Sequence, residues 1–168
     1  MKETLELLNR MKRKGVLDDY AIGGAVASIF YIEPATTYDL DVFVRLPEDV
    51  ENSLTILKPV FTWLQSEGYD FLGEHILLEG IPVQFIPVYN NLLKEAVENA
   101  SVLRYDNVPV KVIAPEYLIA IMFQVNRKKD KERALRFFEE YEIDKDKLLR
   151  ILKEYDLLEN YNDFRNQK

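Results

Sequence analysis

Between Asp39 and Arg45 the chain reads D-L-D-V-F-V-R, and this run constrains the fold more than any other. Leu40, Val42 and Val44 alternate with Asp39, Asp41 and Phe43, the period of a β-strand with one apolar face. Asp39 and Asp41 therefore leave the same face, about 6.5–7 Å apart along the strand. Two carboxylates that close raise one another's pKa unless something positive sits between them. A divalent ion meets that need: Mg²⁺ takes oxygen ligands, usually one or two carboxylates completed by substrate phosphates. A D-x-D alone is more often a solvated strand face, so its neighbours in sequence decide its meaning.

The decisive neighbour is Gly23-Gly24. Tyr20 to Ile22 is a short apolar run that reads as a strand, and Ala25 to Tyr31 reads as a buried helix ended by Glu33-Pro34. Glycine between a strand and a helix lets backbone N–H groups approach a phosphate closely, at the positive end of the helix. A glycine turn opening a helix, followed by T-x-D-L-D on the next strand, is much more specific than either piece alone.

The remaining elements predict an α+β fold: a mixed β-sheet flanked by helices, with a helical C-terminal region. Glu3 to Lys14 is an amphipathic helix stopped by Gly15. Val50 to Glu67 reads as a long helix in which Pro59 suggests a kink. Tyr69 to Leu72, Ile76 to Glu79 and Ile81 to Val88 read as strands, with Glu79-Gly80 as a hairpin turn. Asn90 to Asn99 is helical, and two short strands flank Asp106-Asn107. Ala114-Pro115-Glu116 reads as a helix start, Tyr117 to Val125 as a buried helix, Asp130 to Tyr141 and Asp146 to Tyr155 as amphipathic helices, and Asn160 to Lys168 as a frayed end. The expected organisation is an α/β core over residues 1–113 and a helical region over 114–168, packed together as one compact domain.

Composition narrows the chemistry. At 168 residues, 48% hydrophobic and 30% charged, the chain has the make-up of a globular protein rather than a disordered one. A net charge of -7 rules out nucleic-acid binding through a global positive field, although a local basic patch can hold a polyphosphate or an RNA end. The absence of cysteine excludes disulfides and thiolate chemistry and fits a cytoplasmic location. No run of apolar residues suits a membrane span or a secretory leader.

The segment Ile22 to Val44, I-G-G-A-V-A-S-I-F-Y-I-E-P-A-T-T-Y-D-L-D-V-F-V, resembles the signature of the polymerase-β-type nucleotidyltransferase superfamily. Its T-x-D-L-D form is similar to the branch of AbiEii-like and minimal nucleotidyltransferases. The resemblance extends to Ala114-Pro115-Glu116-Tyr117-Leu118-Ile119-Ala120 and to Asn126-Arg127-Lys128-Lys129-Asp130, which match the family's P-E-x-L-(I/L)-A and R-x-K-D elements. It implies that Gly23 and Gly24 seat a triphosphate and that Asp39 and Asp41 bind Mg²⁺ or Mn²⁺. Thr37 matches the hydroxyl residue before the acid pair, and Arg127 and Lys129 are the basic residues implied to contact nucleotide. The implied reaction is transfer of a nucleotidyl group from a nucleoside triphosphate to a hydroxyl on RNA, protein or a small molecule.

Two departures stand out. Active members carry a third acid on a strand beside the D-x-D strand, and alternation within I-P-V-Q-F-I-P-V places Gln84 there. Glutamine neutralises no metal charge and cannot serve as a general base. Glu79 and Glu74 are the candidate replacements. Where the related branch often has a lysine, this chain has Met122. The alternative is therefore a catalytically degenerate fold that binds nucleotide or a protein partner, of toxin–antitoxin or regulatory type; coincidental motifs are the third reading.

Other residues carry plainer expectations. His75, the only histidine, is expected at the surface or in a turn. Trp63 and Phe61 are expected in the core, Tyr38 either packs or stacks on a base, and Asp130 caps the following helix if the basic cluster is only a solvated helix start. Lys128, Lys131 and Arg133 complete a basic cluster around Arg127 and Lys129.

Overall fold

The computed structural model describes residues 1–34, 37, 39–47, 56–72 and 75–166. Its strands are β1 (Asp19–Ile22), β2 (Leu40–Arg45), β3 (Phe71–Leu72), β4 (His75–Leu78), β5 (Ile81–Pro87), β6 (Ser101–Tyr105) and β7 (Val108–Val112). They form one mixed sheet in the order β3-β4-β5-β2-β1-β7-β6. The acid-bearing strand β2 is central, antiparallel to β1 and parallel to β5. Helices α1 (Lys2–Arg13), α2 (Gly24–Ser28), α3 (Lys58–Ser66) and α4 (Asn91–Glu98) are interspersed with the strands. Four more follow the sheet: α5 (Pro115–Val125), α6 (Lys128–Glu140), α7 (Lys145–Glu154) and α8 (Leu158–Asn166). The architecture is the expected α+β fold, a mixed sheet flanked by helices.

Side-chain alternation in β2 assigns the two faces. Leu40, Val42 and Val44 are fully buried. On their side of the sheet Tyr20, paired with Val44, donates its hydroxyl to Asn9 of α1, and the Thr4 hydroxyl of α1 donates to the Leu78 carbonyl. The other face carries Asp41, Phe43 and Arg45. There Arg45 pairs with Glu98 of α4 at 2.9 Å, and Lys111 donates to the carbonyl of Val97, also on α4. The two hairpins turn through residues whose positive φ suits the right-handed twist of the strands: Glu79-Gly80 at 49° and 80°, Asp106-Asn107 at 46° and 67°.

The late helices attach through buried apolar surface and a few polar ties. In α5, Tyr117, Leu118, Ile119, Ala120 and Phe123 are all buried, each large apolar side chain contributing about 1.5–3 kcal/mol. Glu116, also buried, accepts from Lys147 Nζ at 2.9 Å and from the Asp144 N–H at 3.3 Å, binding α5 to α7. Glu95 of α4 accepts from the hydroxyls of Tyr117 and Tyr155 and from Arg150, which joins α4, α5 and the end of α7.

Several local expectations are corrected. Pro59 sits in the first turn of α3, where its missing N–H costs nothing, so it begins a helix rather than kinking one. The region expected as a long helix from Val50 lies partly outside the described residues. Asn160 to Asn166 is not frayed: it belongs to α8, and the Phe164 ring packs 5.3 Å from that of Phe123 with its side chain buried. Trp63 and Phe61 flank the core half-buried rather than within it, and the Arg10 guanidinium lies 5.3 Å over the Trp63 ring.

Candidate functional site

The pairing of β2 with β5 sets Asp41 opposite Gln84. In the neighbouring β4–β5 ladder Ile76 pairs with Val83, so the next rung brings His75 level with Gln84. On the other side the Gly23 N–H donates to the Asp41 carbonyl at 2.9 Å, carrying the same row past the end of β1. Gly23, Asp41, Gln84 and His75 thus lie in one line across the sheet. Residues paired across a ladder share a face, so the last three point to the side that carries α2.

Gly24 explains why the turn must be glycine. Its φ is +58°, and a Cβ placed on it would fall 1.8 Å from Asp41 Oδ2. The carboxylate lies directly against the backbone of the turn. A Cβ on Gly23 would meet the Phe43 ring at 2.1 Å, so both glycines allow the turn to close on β2. The two acids differ in their surroundings. Asp39 is 44% exposed and receives the Thr37 hydroxyl at 3.4 Å. Asp41 is half-buried, and among the described residues none donates a hydrogen bond to its carboxylate. Its pKa is raised, first by burial and then by the charge of Asp39, while Arg133, Arg127 and Lys129 act in the opposite direction.

Those three cations come from the junction of α5 and α6. Asn126 leaves α5 in the left-handed conformation with φ 56°, which turns the chain so that α6 starts beside the acids. Arg127 is fixed there by a fork: Nε and Nη2 donate to the two oxygens of Asp130 at 2.7 and 3.2 Å. Asp130 is 3% exposed. Its expected capping role is therefore corrected: Arg127 is the N-cap position, and Asp130, in the first helical turn, anchors the Arg127 guanidinium.

The structure gathers the sequence candidates Gly23, Gly24, Thr37, Asp39, Asp41, Arg127 and Lys129 in one place. It also adds a residue the sequence reading set aside. His75 is not in a turn; it opens β4, with Nε2 3.7 Å from Asp39 Oδ2. Only the strand register could have revealed this, because nothing local marks His75. Glu79 is corrected as a replacement acid: it lies in the β4–β5 turn, four residues or about 13 Å along from His75, and accepts the Tyr69 hydroxyl. Met122 is buried in α5. Tyr38 and Glu74 lie outside the described residues.

The arrangement fits a hard divalent ion whose coordination is completed by substrate. Among the described residues no three His, Asp or Glu side chains converge as a ready metal cage. Two carboxylate-bearing residues do stand together, and the Asp41 carboxyl is raised by burial first and by the Asp39 charge second. That donor set suits Mg²⁺ or Mn²⁺ held by one or two carboxylates with phosphate oxygens and water as the other ligands.

No protein-family model matches the chain, and no curated protein matches it. Solved structures do. The chain is similar to an antigenic nucleotidyltransferase-like protein from Paracoccidioides brasiliensis, with 15% identity over 98% of this chain and 91% of that one and a TM-score of 0.54. It is also similar to the solution structure of the antibiotic-resistance factor ANT(2'')-Ia, with 14% identity, 95% of each chain covered and a TM-score of 0.50. The crystal structure of ANT(2")-Ia in complex with adenylyl-2"-tobramycin gives 13% identity, 97% of each chain covered and a TM-score of 0.50. At these identities the likeness is one of fold: the chain has a nucleotidyltransferase-like fold.

Proposed function

We propose that this protein transfers a nucleotidyl group from a nucleoside triphosphate to a hydroxyl acceptor, with Mg²⁺ or Mn²⁺ as cofactor. The observation that carries this reading is the contact of Gly24 with the Asp41 carboxylate. It joins the turn suited to phosphate to the acids suited to a cation. The T-x-D-L-D motif supports placement near the AbiEii-like and minimal enzymes. A cytoplasmic location accords with this chemistry.

The chain's own residues divide the work. Gly23 and Gly24 present backbone to the triphosphate without side-chain obstruction. Asp39 and Asp41 hold the cation, with Thr37 orienting Asp39. Arg127, braced by Asp130, and Lys129 bind phosphate oxygens. A bound divalent ion would supply positive charge to offset that of the phosphates as the acceptor oxygen, losing its proton to solvent, bonds to the α-phosphorus and pyrophosphate leaves.

A second reading has its own observation. Gln84 stands opposite Asp41 and can take no proton from an acceptor. The fold would then bind nucleotide, or a protein partner, without transfer.

The test is incubation with nucleotides labelled at the α-phosphate, alongside RNA, protein and small hydroxyl compounds. Small acceptors belong in the panel because one structural neighbour was crystallised with an adenylylated tobramycin. Labelling that disappears in Asp41→Asn is expected. Labelling that survives this substitution rejects the mechanism. Magnesium-dependent thermal stabilisation by a triphosphate without any labelling selects the binding module.

A further inference from the structure

We infer that the site binds one divalent cation with each nucleotide, not two, because a glutamine stands where a second ion would need a carboxylate. The inference rests on the nucleotide-binding reading above. Two-ion sites keep their metals about 3.5–4 Å apart, which requires charged oxygens that reach both. Asp41 and Gln84 are direct partners across the β2–β5 ladder, so residue 84 is the nearest sheet position from which a third acid could join the pair. The Gln84 amide offers one neutral oxygen. Among the described residues no third carboxylate joins the acids, and the His75 imidazole beside Asp39 supplies no negative charge.

Fixed positive charge stands on the facing side instead. Lys129 and Arg133 are four residues apart on α6 and share its face. Arg133 is half-buried and has no ion pair among the described residues; Arg127 is pinned by Asp130 with its Nη1 left available. These groups act on Asp41 across the gap. A triphosphate placed between them and the acids has its charge shared by one metal ion and three basic side chains. In a two-ion site the second metal takes that share.

The experiment counts Mn²⁺ bound to the full chain in the presence of a non-hydrolysable nucleoside triphosphate analogue, using the magnetic-resonance signal of free Mn²⁺. One ion per protein is expected for the native chain. Gln84→Asp, or Gln84→Glu if the first folds poorly by circular dichroism, is expected to bind two. Two ions on the native chain, with nucleotide retained, overturn the inference alone. A count of one in every variant, again with nucleotide retained, overturns the role given to residue 84. Failure of the native chain to retain nucleotide overturns the underlying reading and this inference with it.

Discussion

The Asp41 carboxylate fills the space in which a side chain on Gly24 would have to begin, with Oδ2 1.8 Å from the ideal Cβ position. Gly24 also holds a φ of +58°, where an L-residue costs about 1–2 kcal/mol. Gly24→Ala is therefore expected to destabilise the fold by about 1–3 kcal/mol in urea unfolding, as strain and displacement combine. The same variant should lose the thermal shift given by magnesium and a triphosphate. Retention of that shift would show that the turn and the acid are not one site.

Asp41 gives the fold a pH dependence of unusual sign. Burial first, then Asp39, raises its pKa, so the ionised carboxyl costs stability at any pH above the folded value. That cost lifts as pH falls through the raised pKa toward the ordinary carboxylate value, where the unfolded chain also takes up the proton. In chelator, Asp41→Asn is expected to melt higher than the native chain at neutral pH, and the gap should close in mild acid. Magnesium should narrow the difference at neutral pH by supplying the missing positive charge. Thermal melts of both proteins across that range check the prediction.

The Arg127–Asp130 fork couples nucleotide affinity to the stability of the fold. Asp130→Ala removes two charge-assisted bonds and leaves a buried position empty, an expected loss of about 1–2 kcal/mol with Arg127 half in solvent. Nucleotide binding should weaken as well, because the guanidinium is no longer held. Arg127→Lys keeps the charge but cannot make the planar fork, so it should bind nucleotide less well and also lose stability, because the buried Asp130 carboxylate is left under-bonded. Calorimetry for binding and urea titration for folding separate the effects.

Asp19 titrates in the opposite sense from Asp41. Burial pushes its pKa up, but hydrogen bonds from Lys111 and Lys12 outweigh this, and the net shift is downward. Its stabilisation is present above the ordinary carboxylate pKa and is lost as pH falls through the lowered folded value. Lys111→Met should cost about 1–2 kcal/mol and move acid unfolding to higher pH, with Lys12 still in place. An acid titration of both proteins by circular dichroism tests it.

How much was legible from residues alone depended on whether the signal was local. Strand β2 and the glycine turn were readable because alternation and backbone freedom act within a few residues. The turns at Glu79-Gly80 and Asp106-Asn107 were readable for the same reason. The family resemblance implied a strand beside the acids, alternation picked Gln84 within it, and the register agrees. His75 was not found, since its nearness to Asp39 exists only after two ladders stack. Asp130 looked like a cap because sequence spacing cannot distinguish a bond to the backbone from a bond to the Arg127 side chain. The final helix was missed because its polar composition hides Tyr161 and Phe164. Their value lies in distant aromatic partners, Phe123 and Phe138.

β2 is hydrogen-bonded along both edges, to β1 and to β5, and its opposite face is the deepest part of the core. Asp41 therefore cannot loosen while the rest of the molecule stays intact. Amide protons from Asp41 to Val44 should exchange with solvent only through whole-molecule opening, as slowly as any in the protein. Breathing motions that would admit or release a ligand must then come from the rim, where Thr37 and the start of α6 sit, with the strand proposed to hold the metal as a stationary anvil.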